Sequence, residues 1–257
     1  MKTILVMPRA SFAILAALGS FLVAASPRRQ QQSHVTVPFV GCPEMMQGTY
    51  VAPPRTKYAT VAVDTGTAQR LAYYGSQSLG LAGPRGWHCI AFSGSSGATL
   101  LIVPTPIDTS AGDTSLTGPG IEMVSWDGGT SGRFGVAMYS SRLFPQVAAS
   151  FVSRVKAESL VSAKEFERGP YPGDVVAYAS NVVAQVTTPA NGHGFGTEGR
   201  LAAGEPIRSV VVLDTTGEWG LTAVRIRLPR SMTSLESVLL RIDEPCGGDR
   251  QCRKESQ

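Results

Sequence analysis

The chain has 257 residues, 43% of them hydrophobic and 16% charged, with a formal net charge of +4. A chain of this length buries a sizeable core without staples. Two of its 23 basic residues, Lys2 and Arg9, lie in the leader described next, so the rest carries 21 basic against 19 acidic residues, a net charge of +2. That balance gives no reason to expect nucleic acid or another polyanion as partner.

Residues 11–25, SFAILAALGSFLVAA, are uncharged and end in small residues, and Val23-Ala24-Ala25 has the pattern of a signal-peptidase site. The expectation is a signal peptide over 1–25, with Ser26 as the mature N-terminus. The run is shorter than the roughly 20 apolar residues of a spanning helix. Arg28 and Arg29 behind it keep an uncleaved anchor as the alternative. No later stretch is long and apolar enough to span, so the expected location is exported, periplasmic or secreted, with no membrane span after cleavage. Residues 26–34 read as a flexible polar segment, 35–244 as one globular domain and 245–257 as a polar tail.

Four cysteines, Cys42, Cys89, Cys246 and Cys252, all follow the leader. An even count in an oxidising compartment reads as disulfides. Three pairings are possible; Cys246 and Cys252 bracket the short stretch GGDRQ, and if that loop closes on itself Cys42 pairs with Cys89. No C-x-x-C occurs to suggest redox or zinc chemistry.

VTVPFVGCP and YATVAVD read as strands. Asp64 is placed to cap a short helix over 67–74 that Gly75 stops. GLAGPRGWHCIAF reads as a turn and a strand, SGSSG as a tight loop, ATLLIVPTP as a strand and 104–120 as a long surface loop. IEMVSWDGGTSGRFGVAMYSS reads as two strands joined by a Gly-rich turn. A helix follows, with Pro145 in its first turn and Phe144, Val147, Ala148, Phe151, Val152 and Val155 on one face. DVVAYASNVVAQVTT and IRSVVVLD are strands; in LTAVRIRLP, Val224, Ile226 and Leu228 alternate with Arg225 and Arg227 as a dry and a wet face. Thr233 with Glu236 reads as a capping box before a last helix with Leu235, Val238, Leu239 and Ile242 inward. Strands outnumber helices without alternating with them. The expected class is α+β, one domain with a largely antiparallel sheet and two to three short helices.

GFGTEG, residues 194–199, matches G-x-G-x-x-G, and Asp214 ends an apolar run 20 residues after Gly194. A dinucleotide site needs a helix opening inside the motif. RLAAGEP follows instead, and Gly204 and Pro206 close off any such helix. The loop reads as a structural connection whose glycines supply positive φ, and no cofactor is expected. His193 lies in the same loop.

SRVK places Ser153 and Lys156 one helical turn apart, the nucleophile pair of penicillin-recognising serine enzymes. The companion S-D-N and K-T-G elements are absent, and the pair reads in the first place as the wet face of an amphipathic helix. GSSGA, residues 94–98, lacks the helix that a nucleophile elbow requires. His34, His88 and His193 are too scattered for a triad or a metal site. In GPRGWHC, Arg85, Trp87 and His88, with nearby Tyr73 and Tyr74, are candidates for an aromatic and cationic binding surface. The competing reading packs Trp87 against a Cys42–Cys89 bridge.

VPFVGCP, QRLAYY, GPRGWHC with GSSGATL, GPYPGD and TPANGHGFGT together resemble a family of exported bacterial proteins of unknown function. The resemblance covers most of the chain after the leader. It implies bacterial origin, export and a single fold, and no chemistry. The expected function is a non-catalytic binding or envelope-associated domain for an unidentified ligand or envelope component. The alternative is a serine-type hydrolase of envelope material or of a small ester or amide, using Ser153 and Lys156 or a loop serine.

Overall fold

In chain order the strands are β1 (Ser33–Gly41), β2 (Glu44–Met46), β3 (Thr49–Val51), β4 (Tyr58–Val63), β5 (Leu71–Gly75), β6 (Gly80–Pro84), β7 (His88–Gly94), β8 (Gly97–Val103), β9 (Gly120–Asp127), β10 (Val175–Tyr178), β11 (Val183–Thr188), β12 (Ile207–Asp214) and β13 (Gly220–Arg227). The helices are α1 (Thr65–Ala68), α2 (Arg133–Leu143), α3 (Ala149–Ala157) and α4 (Glu236–Leu239), with short 3-10 turns between. This computed structural model describes residues 33–107 and 115–241. The expected signal peptide over 1–25, Ile242 and the expected tail with Cys246 and Cys252 lie outside the described residues, which fall within the unit Gln32–Gln257.

Two mixed sheets carry the fold. The smaller has the order β4-β1-β5-β6 and the larger β10-β11-β12-β13-β9-β8-β7-β2-β3. Every pairing is antiparallel except β1 with β5 and β2 with β7. Strand accounts for 40% and helix for 20%, so the α+β expectation is corrected: the fold is mostly β and closer to a β-sandwich. In its central strands the large sheet is buried on both faces. Along β12, Val210 joins the core shared with the small sheet, while Val211 and Leu213 join the core under α2 and α3. A strand covered on both sides has no polar face, which is why VVVL is a continuous apolar run.

Three local readings are overturned. Residues 71–75 are β5, not helix: α1 stops at Ala68, although Asp64 does accept the Thr67 amide at 3.0 Å. Leu71, Ala72 and Tyr74 are all buried, so two faces of a short interior strand imitate helical spacing. Residues 133–143 are helix α2, not strand. The helix lies between the sheet and its helical neighbours, and Val136, Ala137, Tyr139, Ser140, Ser141 and Leu143 are all buried, so no polar stripe marks its period. The Thr233–Glu236 capping box does not form. Thr233 donates its hydroxyl to Arg230 O at 3.1 Å within a 3-10 turn that leads into α4.

The fourth correction concerns β13. Its supposed wet face is interior: Arg225 is 0% and Arg227 3% exposed. Arg225 Nη1 donates to Glu122 Oε2 at 3.1 Å and Nε to Phe195 O at 3.0 Å, and the guanidinium lies over the Phe195 ring at 4.6 Å. Arg227 donates to the carbonyls of Gly118, Ala202 and Leu116. Carbonyls in irregular loops lack ladder partners, and a guanidinium with five donors supplies them.

Two connections join the layers. A disulfide links Cys42, just past β1, to Cys89 in β7. Buried Glu44 of β2 accepts the Gln77 and Ser78 amides at 2.9 and 3.2 Å and the Ser78 hydroxyl at 2.5 Å, holding the β5–β6 turn. Burial pushes the Glu44 carboxyl pKa up, but the hydrogen bonds it accepts, from the Ser78 hydroxyl above all and from the Gln77 amide, outweigh it and hold the pKa below its usual value. A depressed folded-state pKa stabilises the fold above the unfolded value, and that contribution is lost as pH falls through the folded one. The stability difference between wild type and Glu44→Gln in urea melts is therefore expected to shrink progressively as pH falls below the ordinary glutamate pKa of about 4.3. Parallel pH dependence of the two proteins would contradict this role.

Candidate functional site

The small sheet does not fill the face it covers. Between β4, β5 and β6 on one side and β9, β12 and β13 on the other lies a cavity of about 430 Å³, with α4 contributing Val238 and Leu239. Val61, Val63, Leu81, Met123 and Val212 make its wall mostly apolar, and Tyr73, Ser125, Thr222, Asp214 and Arg241 place polar atoms at it. The volume is within the range of small-molecule sites.

Strand register forms its floor. Val212 pairs with Thr222, Thr222 with Ser125, Ser125 with Ala98, Ala98 with Ser93, and Ser93 with Met46. Paired residues share a face, so this row crosses the large sheet from β12 to β2. Thr222 Oγ1 donates to Ser125 Oγ at 3.5 Å. Arg70 Nη1 donates to Ser234 Oγ at 3.0 Å and Arg208 pairs with Glu236 at 3.2 Å, which fixes the segment carrying α4. Asp214 holds its own hairpin through the Thr216 amide and hydroxyl, at 2.8 and 2.6 Å.

Of the binding residues expected from sequence, only Tyr73 lines this cavity. Tyr74 is interior, donating to Pro84 O at 2.5 Å and accepting the Trp87 amide at 3.0 Å. Trp87 is packed in the same core cluster as Cys42. Arg85 and His88 are exposed, and Arg85 Nε donates to Leu71 O at 3.3 Å. Two rings of the aromatic and cationic surface read from these five residues, Tyr74 and Trp87, are therefore core. Sequence reasoning missed Val61, Met123, Ser125, Val212, Thr222 and Val238, because a dry strand face reads the same whether or not the opposite layer meets it.

Ser153 and Lys156 are exposed on α3 and no hydrogen bond joins them. The Ser153 hydroxyl donates to Ala149 O at 2.8 Å, the back-bond of a helical serine. Lys156 Nζ lies 5.5 Å from the centre of the Phe166 ring.

In GFGTEG only a 3-10 turn forms, Phe195–Thr197. The amides that would cradle a phosphate are engaged: Gly194 to Thr197 Oγ1 at 3.1 Å, Phe195 to Asp174 at 2.8 Å, Gly196 to Thr188 Oγ1 at 2.9 Å, and Arg200 to Glu122 at 3.0 Å. The glycines do not serve positive φ, since none of the three has it. They serve close approach: a Cβ would sit 2.1 Å from Asp174 at Gly194 and 2.0 Å from Glu122 at Gly199. His193 Nε2 lies 3.3 Å from Glu198, with its side chain 75% exposed.

Among the described residues, no three His, Cys, Asp or Glu side chains are grouped to hold a metal ion, and no helix is long and apolar enough to cross a membrane. No protein-family model, curated protein or solved structure matches the chain.

Proposed function

We propose that this chain is an exported bacterial binding protein that takes an apolar or amphipathic small molecule between its two sheets and performs no chemistry on it. The cavity bounded by Val61, Leu81, Met123, Val212 and Val238 carries the reading. Export is supported by the apolar leader with its Val23-Ala24-Ala25 end, by the family resemblance, and by the Cys42–Cys89 disulfide, a bond favoured in oxidising compartments. The hydrolase alternative draws no support from Ser153, whose hydroxyl is committed to a helix carbonyl.

The test uses a fluorescent fatty-chain probe that brightens out of water. Wild type is expected to bind it saturably. Thr222→Trp and Ala82→Trp, which introduce an indole at partly exposed positions lining the cavity, are expected to weaken binding about tenfold or more. Ser153→Ala is expected to bind as wild type does. Unchanged binding in both Trp variants, each shown folded by circular dichroism, would remove the cavity from the function.

A further inference from the structure

We infer that the ligand carries an uncharged polyhydroxyl head, of the kind found on an alkyl glycoside or glycolipid, seated in a second cavity beside the apolar one. This rests on the binding reading above and specifies the ligand class. The second cavity, about 420 Å³, is also lined by Ser125. It continues along the same floor over Ala98, Ser93 and Met46. On the opposite wall Leu79 of this cavity adjoins Gly80 of the first. The row from Val212 to Met46 spans six adjacent strands, about 24 Å at the usual strand spacing. An apolar half and a polar half therefore lie end to end in one trough, the shape of an extended amphiphile.

The polar half identifies the head. Ser78, Ser93, Ser125, Gln47, Gln77 and Asp127 line it; the Ser93 hydroxyl itself is buried and the Ser78 hydroxyl is donated to Glu44, which leaves Ser125, the two glutamines and Asp127 to meet a ligand. No lysine or arginine lines it among the described residues, so an anionic phosphate or carboxylate head has no partner there. Asp127 and Asp214 end the flanking strands in one register row with Gly220 between them. Their negative charges disfavour an anion further. Arg241 lines the apolar cavity, not this one. A quaternary ammonium head is recognised by aromatic faces, and no aromatic residue lines the polar half. What remains is a head that both donates and accepts hydrogen bonds without charge. Its hydroxyls pair with the capacity that internal bonds leave over: Asp127 accepts the Gly129 amide at 2.8 Å through one oxygen only, and Ser125, which accepts the Thr222 hydroxyl at 3.5 Å, keeps its own proton to donate.

Calorimetry on the full mature chain, below the micellar concentration of each probe, tests this with one alkyl length and four heads: dodecyl maltoside, dodecyl phosphate, laurate and dodecyl trimethylammonium. The maltoside is expected to bind about tenfold or more tighter than the other three. Asp127→Lys is expected to weaken the maltoside and strengthen dodecyl phosphate, narrowing or inverting the ratio. If none of the four binds, the cleft reading itself fails. If all bind alike, or a charged head binds as well as the maltoside, the head assignment is overturned while the cleft stands. A ratio that Asp127→Lys leaves unchanged would also overturn it, because the selectivity would then arise outside the polar half.

Discussion

Replacing Arg225 with Met is expected to remove about 3–5 kcal/mol of folding stability. The guanidinium is fully buried and holds two elements at once. It pairs with Glu122 on β9 and binds the carbonyl of Phe195 in the GFGTEG loop. Glu122 in turn receives the Arg200 amide at the far end of that loop. Without the arginine, a carboxylate that is 2% exposed keeps, among the hydrogen bonds of the described residues, the Arg200 amide, and desolvation of the charge outweighs the gain of one such bond. Converting Glu122 to Leu in the same chain is expected to restore part of the loss, because removing both charges leaves no uncompensated ion. Urea unfolding of the two single variants and the double variant gives the coupling. A loss below about 1 kcal/mol for Arg225→Met would mean that water reaches the pair and that the loop is anchored by other contacts.

The disulfide variant Cys42→Ala with Cys89→Ala is expected to lose about 4 kcal/mol. Loop-closure entropy predicts that size for a bridge across 47 residues. The bond joins the end of β1 in the small sheet to β7 in the large one. It therefore holds together the two walls of the candidate cleft, and its loss should weaken ligand binding along with stability. Thermal and urea melts of the variant, compared with reduced wild type, check the first part. The same stability with and without the bond would show that packing of Val37, Tyr74 and Trp87 alone sets the sheet-to-sheet contact.

What the sequence makes legible follows from which patterns are unambiguous. ATLLIVP, VVVLD and TAVRIRL could only be strands, and they are β8, β12 and β13. The face of α3 was readable from Phe151, Val152 and Val155, all buried. Trp87 beside Cys89 was readable as core. Periodicity failed where burial is two-sided. Leu71, Ala72 and Tyr74 look helical on an interior strand, and α2 shows no stripe because both its flanks are covered. Arg225 and Arg227 misled in the same way, since alternation with apolar residues normally marks a wet face and here marks two loop clamps. The cleft itself was not legible. It is a place where two layers stop short of contact, and no residue type signals the absence of a neighbour. Ser125 and Thr222 in otherwise apolar rows were the available hint.

The most direct measurement is methyl chemical-shift mapping of the protein with dodecyl maltoside. The binding reading predicts saturable shifts at Val61, Leu81, Met123, Val212 and Val238, which line the cleft, and at Met46 beyond Ser125. It predicts none at Val136, Val152 and Val155 beneath the helical layer. Shifts confined to the helical face, or absent from both, would contradict a ligand site between the sheets.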